Sequence, residues 1–364
     1  MERALDLAAR ARGRTSPNPL VGAVVVAGGT VVGEGWHRRA GEPHAEREAL
    51  AMAGERAAGA DLYVTLEPCC HWGRTPPCTD AIVAAGIGTV YAAIADPNPV
   101  VDGRGFAALR ERGIRVETGL LSARARRLNE AYLTCMEKGR PFVLAKVALS
   151  LDGRLAAGGG DAAWISNQES RRRAHRLRAL HDAVMVGVGT LLADDPLLTP
   201  RLEDWDGPLP ARVVVDSRLR SPPGSRIFSG GPPVLVAAAP GASARRRERL
   251  AGRGATVLTV PSREGRVDLD LLLGELAGRG ITSVMVEGGG TLVSALLRLQ
   301  LVDKVTAFVA PLFIGGRGRA HTITAPGARR IDEALRLEEV TVEALGDNAV
   351  IEGYPRWEGR CSPD

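Results

Sequence analysis

His44-Ala45-Glu46 and, further on, Pro68-Cys69-Cys70-His71-Trp72-Gly73-Arg74-Thr75-Pro76-Pro77-Cys78 decide how the first third of this chain is arranged. Both stretches meet expected helix starts. His44 to Met52 has helical spacing, and so has Cys78 to Ala85, which follows the strand-like run Asp61 to Leu66. Imidazole and thiolate are zinc donors, and three of them leave a fourth tetrahedral position to water. Zinc draws the pKa of such a water towards neutrality. Glu46, in the same first helical turn as His44, can exchange protons with that water without binding the metal. The second thiolate is either Cys70 or Cys78. Adjacent residues point in different directions, and Pro76-Pro77 stiffens the chain just before Cys78. The expected ligands are therefore His44, Cys69 and Cys78. A structural zinc completed by Cys70 or His71 is the competing reading.

Working outward, residues 1–13 read as a helix, and Leu20 to Val26 with Thr30 to Trp36 as a hairpin split by Gly28-Gly29. Strand Thr89 to Ala95, helix Phe106 to Arg112 and strand Arg115 to Thr118 complete an alternating α/β pattern, which predicts a layered sheet over residues 1–121. Ser122 to Lys138 reads as one long polar helix stopped by Gly139 before Pro141, a connecting helix over residues 122–140. A second α/β pattern fills 141–357. It starts with strand Phe142 to Leu149 and helix Asn167 to His181, and ends on Leu335 to Leu345 and Ala349 to Tyr354, expected to pair as an antiparallel hairpin.

Composition agrees with a two-domain enzyme. The chain has 364 residues, 45% hydrophobic and 24% charged, which suits about two globular domains and excludes collagen-like, disordered and coiled-coil classes. Aromatics are only 4%, so the cores must lean on Ala, Val and Leu. The charged start Met1-Glu2-Arg3-Ala4-Leu5-Asp6 lacks a signal peptide's apolar core and no uncharged run is long enough to span a bilayer, so a cytoplasmic protein without membrane contact is expected. The net charge of +5 is scattered, with short clusters at Arg171-Arg172-Arg173 and Arg245-Arg246-Arg247, not gathered into the aromatic-interleaved stripe of a nucleic-acid binder. Three of the five cysteines crowd into 69–78, which points to metal chemistry and away from a disulfide framework.

The second half lacks G-x-G-x-x-G. It has instead Glu287-Gly288-Gly289-Gly290-Thr291 after a strand, and Val186-Gly187-Val188-Gly189-Thr190 at the end of another. Glycines let backbone approach a phosphate, and a helix start supplies N–H donors. Two such turns at strand ends suggest a dinucleotide, because open α/β sheets bind ligands there.

H-x-E followed by P-C-x-x-C is the zinc deaminase pattern. The longer P-C-x8-C loop here, with Pro17-Asn18-Pro19-Leu20-Val21-Gly22-Ala23-Val24 and Asp96-Pro97-Asn98-Pro99, resembles the bifunctional deaminase/reductase family of riboflavin biosynthesis. The resemblance continues through Lys146 with Ser150-Leu151-Asp152-Gly153-Arg154, Trp164-Ile165-Ser166, Leu192-Ala193-Asp194-Asp195-Pro196 and Glu287-Gly288-Gly289. It implies a cytidine-deaminase-like three-layer α/β domain followed by a dihydrofolate-reductase-like domain. The implied activities are zinc-dependent hydrolytic deamination of a diamino-ribosylamino-pyrimidinone phosphate and NADPH reduction of its ribosyl group to ribityl, in a homo-oligomer. By this resemblance Glu46 is the proton shuttle and His44, Cys69 and Cys78 hold zinc. Asn18, His37, Arg74, Asp96 and Asn98 gather around the pyrimidine and its phosphoribosyl arm. Ala148, Trp164, Thr190, Asp194, Ser217 and Gly289, Gly290, Thr291, Leu292, Val293, Ser294 and Ala295 line NADPH, while Arg178, Leu198, Arg201 and Glu287 face the substrate. Two departures stand out: Cys70 where relatives often have Ser, and Ala162 where they can present Ser to the substrate. Lys146 and Asp152 read equally well as proton donors or as ion-pair partners. The competing functions are a nucleic-acid base deaminase with an accessory domain, and a non-enzymatic zinc module with a dinucleotide-sensing domain.

Overall fold

The structure, a computed structural model, describes residues 1–73, 76–157, 165–316, 322–324 and 327–357. It divides into two compact units, 1–140 and 141–364.

The first unit runs α1 (Glu2–Ala9), β1 (Gly22–Ala27), β2 (Thr30–Trp36), α2 (Ala45–Ala53), β3 (Asp61–Val64), α3 (Cys78–Ala84), β4 (Thr89–Ala92), α4 (Arg104–Glu111), β5 (Arg115–Thr118), α5 (Ser122–Leu128) and α6 (Glu130–Lys138). Its sheet has the order β2-β1-β3-β4-β5, antiparallel across β2, β1 and β3 and parallel from β3 to β5. Alternation along the strands gives each face its own core. Ala23, Val25, Leu62, Val64 and Val90 pack under α2, α3 and α4. On the other face Val24 meets Ala4 and Leu7 of α1, while Leu66, Ala93 and Ile94 meet Ala125, Tyr132 and Leu133. The result is three layers. Gly35 on β2 lets α2 lie almost backbone to backbone on the strand, since a Cβ there would run into the Ala45 carbonyl oxygen. That approach fixes where His44 and Glu46 enter the site.

Two expectations need correction here. Residues 122–138 form two helices, not one, and they belong to the first unit instead of linking two domains. The break falls at Asn129, which is 2% exposed. Its side chain accepts from the Leu20 N–H at 2.7 Å and donates to the Leu20 carbonyl at 3.0 Å, which draws the chain onto the loop before β1.

The second unit runs β6 (Phe142–Ser150), α7 (Gln168–Ala179), β7 (Ala183–Gly187), α8 (Val188–Asp194), β8 (Ala211–Val215), β9 (Val234–Ala238), α9 (Ala244–Ala251), β10 (Ala255–Thr259), the small hairpin β11 (Ser262–Arg263) and β12 (Arg266–Val267), α10 (Leu269–Ala277), β13 (Ser283–Glu287), α11 (Gly290–Arg298), β14 (Lys304–Ala310), β15 (Leu337–Leu345) and β16 (Asn348–Pro355). The nine-stranded sheet has the order β10-β9-β8-β7-β13-β6-β14-β16-β15. It is parallel as far as β14, and β16 and β15 add the expected antiparallel hairpin. Val184, Val186, Val214 and Val236 pack with Leu250 of α9 on one face, and Val213, Val284 and Val286 with Leu272 and Leu296 on the other. The strands β6, β7, β8 and β13 therefore end along one edge of the sheet, with their loops gathered there.

Candidate active sites

In the first unit His44 is the N-cap of α2, Glu46 lies in that helix's first turn, Cys69 follows β3, and Cys78 opens α3. Their donor atoms converge: His44 Nδ1 is 3.5 Å from Cys69 Sγ and 3.3 Å from Cys78 Sγ, and all three lie within 4.8 Å of one another. Zn–N bonds of about 2.0 Å and Zn–S bonds of about 2.3 Å put tetrahedral ligands about 3.5 Å apart, so this donor set fits zinc. Among the described residues neither Cys70 nor His71 joins the group, so a fourth protein ligand is not in place.

The electrostatics agree with a cation site. The Cys78 thiol, then His44 and the Cys78 backbone N–H, hold the Cys69 thiol down at about 4, as a thiolate. With that charge beside it, and buried, Cys78 moves up. His44 is raised, chiefly by its bond to Cys69. Glu46 is 3% exposed and is raised by burial first and the Cys69 charge second. Its Oε2 is buried without a hydrogen-bond partner. A buried carboxyl oxygen left unpaired in the cavity that the metal donors line is unfavourable unless something binds there.

These groups open into a cavity of about 470 Å³ that Asn18, His37, Asp96 and Asn98 also line. His37 is 3% exposed, and its ring bonds the Pro43 carbonyl at 3.1 Å and the Asn18 amide nitrogen at 3.0 Å. Arg74 lies outside the described residues. Sequence reasoning missed two residues here. Glu67, next to the quoted stretch, accepts from the backbone N–H of Asp96 (3.2 Å), Gly103 (3.1 Å) and Phe106 (3.1 Å), which ties the metal loop to the Asp96 loop. Tyr132 enters the cavity wall from α6, with no local signal to announce it.

In the second unit the expected cofactor residues collect at the carboxyl edge of the parallel strands. Ala148 is near the end of β6, Thr190 and Asp194 are on α8 after β7, Ser217 follows β8, and 289–295 follow β13. The two glycine-bearing turns meet, because β7 and β13 are neighbours: a Cβ on Gly288 (φ +75°) would lie 2.7 Å from Thr190 Cγ2. Gly289 and Thr291 are exposed at the start of α11, which has no side-chain cap, and that start fits a phosphate. By contrast Leu292 and Val293 point into the core, and Ser294 accepts from the Thr324 N–H at 2.9 Å. Gly290 is packed against the Thr322 carbonyl oxygen. Ser217 accepts from the Val267 N–H at 3.0 Å, and burial raises Asp194. Trp164 and Ala162 lie outside the described residues.

Of the expected substrate residues, Arg178 and Glu287 hold each other in a two-bond pair, 2.7 Å at both contacts, with Arg178 also donating to the Thr199 carbonyl at 3.2 Å. Glu287 is 7% exposed; burial alone would raise it, yet Arg178 and Lys146 bring it down to about 2. Lys146 faces Glu287 across the β6–β13 register and is lowered by burial. Arg201 bonds His175 through its backbone N–H at 3.2 Å and its Nε at 3.3 Å. Leu198 adopts φ +59°, but its side chain is buried in the core. Asp152 is committed to structure: it accepts from Ser150 Oγ at 2.6 Å and from the N–H groups of Ile314 (3.0 Å) and Gly315 (2.8 Å), which hold it at about 2.

Comparison with known proteins gives these two sites a context. Residues 1–94 match the cytidine and deoxycytidylate deaminase zinc-binding region, and residues 141–351 match the RibD C-terminal domain. Fold and site thus define a two-domain α/β protein in which a deaminase-type zinc-binding domain precedes a RibD-type reductase domain. The chain is 42% identical to the riboflavin biosynthesis protein RibD of Escherichia coli K12, covering 96% of this chain and 97% of that one, and 40% identical to that of Bacillus amyloliquefaciens, covering 98% and 95%. RibD of Acinetobacter baumannii superposes with a TM-score of 0.89 at 38% identity, with 98% of each chain covered. A diaminohydroxyphosphoribosylaminopyrimidine deaminase/5-amino-6-(5-phosphoribosylamino)uracil reductase of Thermotoga maritima gives 0.84 at 36%, with 98% and 97% covered. The chain belongs to the RibD family of riboflavin biosynthesis proteins. Among the described residues no helix is long and apolar enough to cross a membrane.

Proposed function

We propose that this chain deaminates 2,5-diamino-6-ribosylamino-pyrimidinone 5'-phosphate in its first domain and reduces the ribosyl group of the product to ribityl with NADPH in its second. The observation that carries the reading is the unpartnered, buried Glu46 oxygen beside His44, Cys69 and Cys78. Those three residues would hold zinc, which supplies the Lewis acidity that makes water a nucleophile near neutral pH. Glu46 takes one proton from the attacking water and gives it to the ring nitrogen, then carries the second, from the hydroxyl so formed, to the amine, which departs as ammonia. Asn18, His37, Arg74, Asp96 and Asn98 surround the pyrimidine and its phosphoribosyl arm.

In the second domain NADPH supplies the hydride. The start of α11 and the Gly288–Thr190 contact support its phosphates, and Ala148, Trp164, Asp194 and Ser217 line the rest. Arg201 fits a phosphate by its fork geometry, while Arg178 faces the substrate with its own fork closed on Glu287, and Leu198 shapes the loop. The reading includes a cytoplasmic homo-oligomer acting on a small molecule and not on nucleic acid, which light scattering and a salt-dependent binding assay with tRNA address. The deciding experiment is product identification with the phosphoribosyl pyrimidine: ammonia release without NADPH, then NADPH oxidation once the cofactor is added. Turnover of RNA or DNA bases in place of the pyrimidine phosphate would overturn the reading.

A further inference from the structure

His175 and Arg201 meet beside the Arg178–Glu287 pair, and N–H groups approach the imidazole from both sides. The backbone N–H of Arg201 points to His175 Nδ1 at 3.2 Å, while Nε and Nη2 of its guanidinium lie 3.3 and 3.2 Å from Nε2. A neutral imidazole accepts at one nitrogen and carries its proton on the other, so it can satisfy only one of these approaches. The Arg201 side chain is exposed and can turn, whereas its backbone N–H cannot. Nδ1 is therefore the acceptor, which puts the ring proton on Nε2. Burial, and then the charges of Arg178 and Arg201, hold the ring down at about 4, so it is neutral near pH 7. The result is a donor facing donors.

Building on the reductase reading above, we propose that His175 is a substrate-binding residue: its Nε2–H and the Arg201 guanidinium close together on one oxygen of the substrate's phosphate.

The neighbouring acceptors are already engaged. His175 and Arg178, three residues apart on α7, share a face. Arg178 holds both Glu287 oxygens at 2.7 Å. The Thr199 carbonyl favours a ring proton, but it accepts from Arg178 Nη1 at 3.2 Å. Among the described residues the hydrogen bonds of the His175 ring run only to Arg201. The Glu287 charge is countered by Arg178 and Lys146, so the field around the two donors is positive and suits an anion. A phosphate oxygen has lone pairs for both donors, and its charge strengthens each bond. Glu287 closes β13 just before α11 opens at Gly290, which puts this pair on the same strand edge as the expected cofactor residues.

The test follows NADPH oxidation by the full-length protein with the deaminated product, intact or stripped of its phosphate. His175→Leu removes both ring nitrogens. For the phosphorylated substrate kcat/KM is expected to fall about tenfold, the scale of one hydrogen bond to a charged group. For the substrate without phosphate it should stay within twofold. Equal losses on the two substrates would mean that His175 serves only to hold the Arg201 loop, and would overturn the proposal, as would no loss on either. A second measurement needs neither turnover nor His175→Leu. In the nitrogen-15 spectrum of wild type, with the ring assigned by its loss in His175→Gln, the proton should sit on Nε2. That resonance should move with ribose 5-phosphate and stay in place with ribose. A proton on Nδ1, or no response to ribose 5-phosphate, contradicts the proposal. Should wild type oxidise no NADPH with either substrate, the reductase reading fails on its own, while the ring resonances still decide whether His175 takes a phosphate.

Discussion

The two sites of this molecule are built from different materials. In the first unit three side chains drawn from residues 44–78 converge on one point, and a carboxyl oxygen of Glu46 in the same cavity has no partner. In the second, the edge is made largely of backbone, at strand ends scattered from residue 146 to 295, and its strongest charges, Arg178 and Glu287, already satisfy each other. The contrast matches the chemistry. Activating water requires particular atoms held in a tetrahedron, whereas a cofactor that carries its own hydride needs mainly shape and N–H donors. The first site should therefore fail by losing chemistry, and the second by losing structure.

The largest effect expected from that contrast is structural. Arg178→Met strands the Glu287 carboxylate in a buried position and should cost about 3–5 kcal/mol, the scale for breaking a buried ion pair. Denaturant melting of the variant checks this, with the loss in the reductase unit and zinc binding retained. Next is Glu46→Gln, which keeps shape and metal but should lower deamination at least about 10²-fold. NADPH oxidation with the deaminated product, measured in the same sample, should continue. Normal ammonia release by Glu46→Gln would erase the distinction between the two regions.

The sequence carries these regions unequally, for the same physical reason. His44, Cys69, Cys78 and Glu46 are legible because metal ligation restricts residue type and placement so tightly. The alternating strands and the closing hairpin are legible because burial imposes a period on the chain. Tyr132 is not legible, since its meaning lies in a bond to Asp96, 36 residues away. Nor is the break at Asn129, because an asparagine amid helix formers says nothing of the Leu20 backbone it will bind. In 289–295 the glycine signal marks the turn correctly, but it does not say that Val293 and Ser294 face inward.

Two smaller effects sharpen the comparison. Gly288→Ala puts a methyl 2.7 Å from Thr190 at a φ of +75°. It should cost about 1–3 kcal/mol and raise the NADPH KM while ammonia release persists, which steady-state kinetics checks. His175 is lowered to about 4, by burial first and then by Arg178 and Arg201. Between its unfolded value near 6.5 and that folded value the unfolded chain binds the extra proton, so this group's contribution to stability is present above about pH 6.5 and is lost as pH falls towards 4. His175 is partly exposed, which discounts the contribution to about 1 kcal/mol. His175→Asn should flatten the dependence of Tm on pH across that window.

The central claim is that two thiolates and one imidazole hold zinc and leave its remaining position to water. X-ray absorption at the zinc edge of the fully active protein tests it most directly. The account predicts one zinc per chain with two sulfur neighbours at about 2.3 Å and two nitrogen or oxygen neighbours at about 2.0 Å, unchanged in Cys70→Ser. A third sulfur in the shell, or full deaminase activity with the metal stripped, would contradict it.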